Sequence, residues 1–429
     1  TRPFDAMNEG AEPEVVGVVG GPWDTGWPAK DGAVIGFEDI FQAFSAAADE
    51  GQIKLATAGI DIFRDYQSIK EFLRSCDVVY ANCGPWAALL HLVREREQLG
   101  VRIMREVRTV GWVGYIWQEE VANRLQRPGD QRVFPSRYAR DVWEAAVPEA
   151  CPARVYYPMV RKASELTMPP ATPTGTAGFF SVLSPDKGFP YLPAVISRMR
   201  DTGHRFDRLI VVGQQADPDL YRQVENGLRD IGVEVDYLGG RPHNEIRALM
   251  AVCECIFFLT TSSIESLGRV MVEASAQRVP VITADFGAAM DLVSTEYRIP
   301  VEYPAEAAGF CDSAFTLGEL ALERWKPPSV LTADACYLPS VSEYLVDAQP
   351  MPEILRPPNR EPEAATRPVQ FTFTCAVDGP ELAEKLLDDL DSLRNRPIRE
   401  LVDLGGTLTQ YLLANDYDPS VSFKARSTQ

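Results

Sequence analysis

Two carboxylates, Glu265 and Glu273, stand eight positions apart in the stretch Thr261-Ser-Ser-Ile-Glu-Ser-Leu-Gly-Arg-Val-Met-Val-Glu-Ala-Ser-Ala276. An apolar run, Cys255-Ile-Phe-Phe-Leu-Thr260, leads into it, and Val279-Pro-Val-Ile-Thr283 leaves it. The order is strand, loop with an acid, Gly268, helix with a second acid, strand. Such a loop belongs at the carboxyl edge of a parallel sheet, where open α/β sheets bind ligands. Glu265 falls just before the helix, beside free backbone N–H groups, and Glu273 lies more than a turn inside it. Both acids can then touch one extended ligand. A cation suited to a diphosphate stands upstream: Lys187, in Ser184-Pro-Asp-Lys-Gly188, opens a helix after an apolar strand.

The spacing and its surroundings (the Ser-rich approach, Glu-x-x-Gly, Glu-Ala-x-Ala and the Val-Pro-Val-Ile strand) resemble the Glu-x7-Glu motif of retaining glycosyltransferases of family 4. The resemblance implies a GT-B fold, with two doubly wound Rossmann-like domains facing each other across a cleft. It also implies a nucleotide-diphosphate sugar as donor, a hydroxylated small molecule or glycan as acceptor, and front-face displacement with retention. No metal and no cofactor are expected. In that family the first Glu, here Glu265, contacts the donor sugar near the reacting carbon, and the second, here Glu273, binds the ribose. The loop and helix start at Ser266, Leu267 and Gly268 would meet the donor as well.

Lys187 matches the Lys of the family's Gly-Arg-Leu-x-x-x-Lys-Gly segment, but Val182 and Ser181 stand where that segment has Arg and Gly. One guanidinium on the donor phosphates is therefore missing, and Arg269 is the candidate substitute. Leu238-Gly-Gly-Arg-Pro-His-Asn-Glu-Ile246 resembles the loop that cradles the nucleobase, with Gly240 close to the ligand and Arg241 on the base; an ordinary strand-to-helix turn explains it equally well. Gly20 and Gly21 end the first strand, as a phosphate loop or a plain turn; Gly-x-Gly-x-x-Gly is absent. The family often has a His where Arg105-Glu-Val-Arg-Thr-Val-Gly-Trp112 stands, and Arg108 is the candidate to share that role. Five of seven tryptophans (Trp23, Trp27, Trp86, Trp112, Trp117) follow first-domain strands. Trp23, Trp27, Trp86 and Trp112, with Arg108, are the candidate acceptor contacts, against plain loop packing.

The elements that must position these residues alternate. Strands are expected at Val15–Val19, Ile53–Ala58, Asp77–Ala81, Val101–Val107, Arg132–Phe134 and Arg154–Tyr157, with helices at Gly36–Asp49, Asp65–Ser75, Trp86–Leu99, Tyr115–Leu125 and Ala139–Ala146. Met168-Pro-Pro-Ala-Thr-Pro-Thr-Gly-Thr176 reads as a linker. A second series follows at Ala177–Val182, Arg208–Val212, Glu234–Leu238, Ile256–Thr260 and Val279–Ala284. Repeated β-α units mean mainly parallel sheets covered by helices. The expected domains are 1–165, which would take the acceptor, and 177–395, which would take the nucleotide sugar. A segment 396–429, helical over Ile398–Leu413, would cross back onto the first domain. Ten prolines between Pro304 and Pro368 break the rhythm, so about 305–375 reads as an insertion in the second domain: acceptor loop, partner surface or disordered. A helix is expected again from Asp378 to Leu387.

Composition bounds the partners. The 429 residues suffice for two cores, and 45% apolar with 24% charged residues is ordinary for a soluble globular chain. A net charge of −19 argues against nucleic acid and against anionic membranes, while leaving room for one basic pocket. Eight cysteines form no Cys-x-x-Cys, and three histidines make no zinc-like constellation. Cys253 and Cys255 enter an apolar strand and read as small buried thiols, which fits a reducing cytoplasm. No apolar run spans a bilayer, no signal-peptide profile is visible, and the missing initial Met suggests a trimmed or incomplete start. The frequent Arg and Ala suggest a GC-rich, bacterial source. Two other functions stay open: a non-catalytic sugar-nucleotide sensor or scaffold, and a sugar-nucleotide epimerase. A dehydrogenase is remote, and oligomeric state is not legible.

Overall fold

The computed structural model describes residues 13–20, 32–64, 66–82, 86–107, 122–123, 125–146, 153–155, 175–262, 265–303, 317–335, 369–374 and 422–427. The linker apart from its last two residues, the expected helices at Asp378–Leu387 and Ile398–Leu413, and most of Tyr115–Leu125 lie outside these residues.

Two six-stranded sheets organise the chain, and every pairing within them is parallel. The first has the order β2-β1-β3-β4-β5-β6. Its strands are β1 Val15–Gly20, β2 Lys54–Ala58, β3 Val78–Asn82, β4 Arg102–Glu106, β5 Gln131–Phe134 and β6 Ala153–Val155. Helices α1 Gly32–Asp49, α2 Tyr66–Arg74, α3 Ala87–Glu97 and α4 Arg137–Ala146 alternate with them. Apolar side chains collect on both faces, with Phe37, Ile40 and Phe44 under one face and Ile69, Leu73, Leu90 and Val93 under the other. A strand covered on both sides needs apolar residues at successive positions, and the run Val-Val-Gly-Val-Val of β1 supplies them.

The second sheet has the order β12-β11-β10-β7-β8-β9. Its strands are β7 Thr176–Phe180, β8 Arg208–Val212, β9 Glu234–Gly239, β10 Cys255–Phe258, β11 Val281–Ala284 and β12 Arg298–Ile299. Five helices among the described residues accompany it: α5 Leu192–Arg200, α6 Pro218–Asp230, α7 His243–Ala251, α8 Arg269–Ala276 and the short α9 Ala289–Leu292. β7, β10 and β11 are buried at every position. Cys253 and Cys255 are free buried thiols, and burial pushes Cys253 up to about 12. The architecture is the expected one, two doubly wound Rossmann-like domains. In each sheet the strand order reverses once, between β1 and β3 and between β7 and β10, and such reversals open a crevice at the strands' carboxyl ends.

The carboxyl edges of the two sheets face each other. Ser136, after β5, donates a hydrogen bond to the Ser266 carbonyl after β10. Tyr138 meets Phe286, after β11, edge to face at 5.1 Å, and Val155 at the end of β6 packs on the second-domain core.

Part of the proline-rich region belongs to that same core. Residues 317–335 are strapped across the second sheet's flank: β13 Val301–Glu302 pairs with β14 Glu319–Leu320, and Leu320, Trp325 and Ala335 are buried in the core. The strap is held largely through its carbonyls, with His204 Nε2 at 2.7 Å from the Pro328 oxygen and Tyr297 Oη at 2.7 Å from that of Val330. The Trp325 carbonyl accepts from Arg198, while its indole N–H donates to the Glu296 carbonyl at 3.2 Å. A further pair, β15 Val369–Thr374 with β16 Ser422–Ser427, is antiparallel and joins distant parts of the chain. Among the described residues no helix is long and apolar enough to cross a membrane. Trp325→Ala should lower the unfolding free energy by about 3–5 kcal/mol, the range for deleting a buried tryptophan; a denaturant midpoint equal to wild type would show that the strap is peripheral.

Candidate functional site

The reversal between β7 and β10 brings Lys187 and Glu265 together. Lys187 ends a short turn, Pro185–Lys187, after β7, and the Asp186 carbonyl in that turn accepts from the Thr261 N–H and the Thr260 hydroxyl, each at 3.1 Å. The turn thereby rides on the exit of β10. Gly188 makes the approach possible: its φ is +73°, and a Cβ there would sit 2.1 Å from the Leu259 carbonyl oxygen.

Glu265 is gripped through both oxygens. Lys187 Nζ lies 2.7 Å from Oε2, and the Gly268 N–H donates to Oε1 at 3.0 Å. Gly268 precedes α8 at φ +74°, with the Phe258 ring 2.3 Å from where a Cβ would be, so this amide's direction also depends on a glycine. Burial alone pulls the Lys187 ammonium down, but the Glu265 charge and hydrogen bond, joined by Asp186 at 3.8 Å, hold its pKa above the usual lysine value. Lys187 is therefore a fixed positive charge at neutral pH.

Glu273 is 4% exposed on α8, and two side chains converge on its Oε1: the Arg269 guanidinium, Nε at 2.5 Å, and the His243 imidazole, Nε2 at 2.8 Å. Burial pushes this carboxyl up, yet the His243 bond and the Arg269 charge outweigh it and hold it below the ordinary glutamate value. An ionised carboxylate only accepts, so Nε2 of His243 carries the proton in this contact. Sequence reasoning placed His243 in the nucleobase loop without a role. Its position as first residue of α7, after Pro242, was the visible signal; its partner 30 positions away was not.

The other expected residues fall as follows. Arg241 turns back, with Nε donating to the Leu238 carbonyl at 3.0 Å, and Gly240 adjoins it. Arg269, the expected second phosphate cation, directs its Nε to Glu273. Val182 is exposed where the resembled family has Arg. Leu267 is buried in the second core, and the Ser266 carbonyl faces Ser136. Gly20 ends β1 at the first sheet's reversal, where a Cβ would press on Phe37 and on the Asn82 carbonyl at 2.7 Å. Trp86 stacks on Phe63 at 5.9 Å and packs on the first-domain core. Gly21, Trp23, Trp27, Arg108 and Trp112 lie outside the described residues. His91 is fully buried beside Arg94, and burial first, then that charge, holds its pKa well below the usual histidine range.

Residues 171–308 match the family model of glycosyl transferases group 1. No curated protein matches the chain. Among solved structures it is similar to HepE of Anabaena in complex with UDP, at 19% identity over 66% of this chain and 84% of that one, with a TM-score of 0.49. It is also similar to a glycosyltransferase of Rickettsia africae ESF-5, at 14% identity, 70% and 87% coverage and a TM-score of 0.49. AviGT4, a glycosyltransferase involved in avilamycin A biosynthesis, is similar at 14% identity, with 80% and 95% coverage and a TM-score of 0.45.

The paired Glu273 carries a pH signature. Its folded pKa is depressed, so its stabilisation is complete above the unfolded value near 4.5 and is lost as pH falls through the lower folded value. Glu273→Gln should therefore be less stable than wild type by about 1–3 kcal/mol at pH 7, with the gap closing below pH 4.5. Denaturant midpoints measured from pH 7 to 3.5 check this; a gap independent of pH would assign the loss to packing.

Proposed function

We propose that the chain is a retaining glycosyltransferase that moves a sugar from a nucleotide-diphosphate donor to a hydroxyl of a small molecule or glycan. The observation that carries this reading is the gathering of Lys187, Glu265 and the Gly268 amide at one sheet reversal, inside the stretch that matches glycosyl transferases group 1. An ammonium and a helix-start amide aimed at one spot make a site for negative charge. Glu265 occupies that spot, and in the reaction the donor's diphosphate would compete for the same two donors.

Lys187 and the Gly268 N–H would then hold the charge that develops as the bond from the anomeric carbon to the phosphate oxygen breaks. Glu265, close by, would orient donor hydroxyls and stabilise positive character at that carbon. The acceptor oxygen would attack from the leaving-group face, its proton passing to the departing phosphate oxygen. Glu273, fixed by Arg269 and His243, would meet the ribose through its other oxygen. The scheme uses no metal. Free buried thiols at Cys76, Cys253 and Cys255 support a cytoplasmic setting.

A non-catalytic sugar-nucleotide binder is the second reading. Val182 in place of an arginine favours it, as does the commitment of Arg269 to Glu273. A thermal-shift panel of nucleotide diphosphates and their sugars should raise the melting point with at least one base by mass action. Lys187→Ala should weaken that binding by about 10- to 100-fold, the worth of charge-assisted hydrogen bonds. Glu265→Ala should lower transfer by about 10²- to 10³-fold while folding is kept. No melting response to any nucleotide would sink both readings, and binding without transfer to any hydroxyl acceptor would select the second.

A further inference from the structure

The loop that carries Glu265 is held from both domains. Ser136, at the end of β5, is fully buried, and its hydroxyl serves two partners. It accepts from the Ala139 N–H at 3.0 Å, capping the first turn of α4, and it donates to the Ser266 carbonyl of the second domain. A hydroxyl has one hydrogen and two lone pairs, so one serine can do both at once. Ser266 sits between Glu265 and Gly268, whose own hydrogen bond closes the loop.

The rest of the seam points to the same loop. Tyr138 meets Phe286 edge to face, and Phe286 lies against Tyr303 at 5.0 Å. The Tyr303 hydroxyl donates to the Thr261 carbonyl at 3.0 Å, where the loop begins. Beside these rings, a Cβ on Gly287 would stand 3.4 Å from the Glu265 carbonyl and 3.6 Å from the Tyr138 ring. The start of the loop is thus fixed from within the second domain and its end from the first.

We propose that Ser136 is a positioning residue that makes the shape of the Glu265–Gly268 loop depend on docking of the first domain. The reactive arrangement of Glu265 is then complete only while the two carboxyl edges are together. Sugar transfer would wait on the domain expected to bring the acceptor. The consequence for catalysis rests on the transferase reading; the structural claim does not.

Two variants separate the cap from the cross-domain bond. Ser136→Asp keeps an acceptor for the Ala139 N–H, and aspartate is a good helix cap, but at neutral pH it has no hydrogen for the Ser266 carbonyl. Ser136→Ala loses both. Amide hydrogen exchange in a peptide spanning 265–268 of the unliganded full chain should rise about three- to tenfold in both variants, the worth of one hydrogen bond. A peptide from the β8 strand, Arg208–Val212, should stay at the wild-type rate. If Ser136→Asp exchanges like wild type, or if the β8 peptide accelerates equally, the proposal is overturned: the serine is then only a cap, or its loss is global. In the transfer assay both variants should lose kcat with little change in donor KM. If the wild-type chain transfers no sugar at all, the transferase reading fails while the exchange result still decides the role of Ser136.

Discussion

A lysine ammonium withdrawn from bulk water needs a counter-charge, and an amide at a helix start needs an acceptor. Glu265 answers both needs, with one oxygen on Lys187 and the other on the Gly268 N–H. The arrangement exists because β7 and β10 are neighbours, so the turn after one and the loop after the other leave the sheet side by side. Two glycines permit it: Gly188 lets the lysine turn press on Leu259, and Gly268 accepts the Phe258 ring beneath it. Replace either contact with a side chain and the donors no longer share a target.

The electrostatics of the site follow from this pairing. A chain with net charge −19 still collects Lys187 and Arg269 within one neighbourhood, with the His243 imidazole beside them. Each is matched internally, Lys187 by Glu265 and the other two by Glu273. The local balance is near neutral rather than strongly positive, and an arriving diphosphate would have to exchange partners rather than fill an unmet charge. Such exchange keeps the partly buried Lys187 and Arg269 satisfied at each stage, in line with the cost of leaving a desolvated charge uncompensated. Val182 stands where the resembled family has Arg, so in the proposed reaction the grip on phosphate would lean more heavily on one amine.

Much of this was legible from residues alone. Buried parallel strands read as apolar runs, and Arg208–Val212 and Cys255–Phe258 show that plainly. The nearness of Lys187 to Glu265 was implied by the resemblance, which puts both on one donor, and each was placed after a strand. Other features leave no such trace. β12 is two residues long, and the strap at 317–335 is anchored by carbonyl oxygens, which every residue type carries. The contact of His243 with Glu273 depends on how α7 and α8 lie together, which no spacing rule encodes. Ser136 leaves no trace either, because its partner lies 130 positions away in the other domain.

The strap does more than cover the second core. The Gly318 N–H donates to the Thr261 carbonyl at 3.1 Å, and Leu317 bridges Ser262, so it braces the very root of the acidic loop. That brace comes late in the chain. As the polypeptide leaves the ribosome, every strand of the second sheet emerges before residue 317, and the loop stays unsupported on that side until the strap arrives. A fragment cut at residue 308, where the family match ends, would keep both acids and lose the scaffold beneath them.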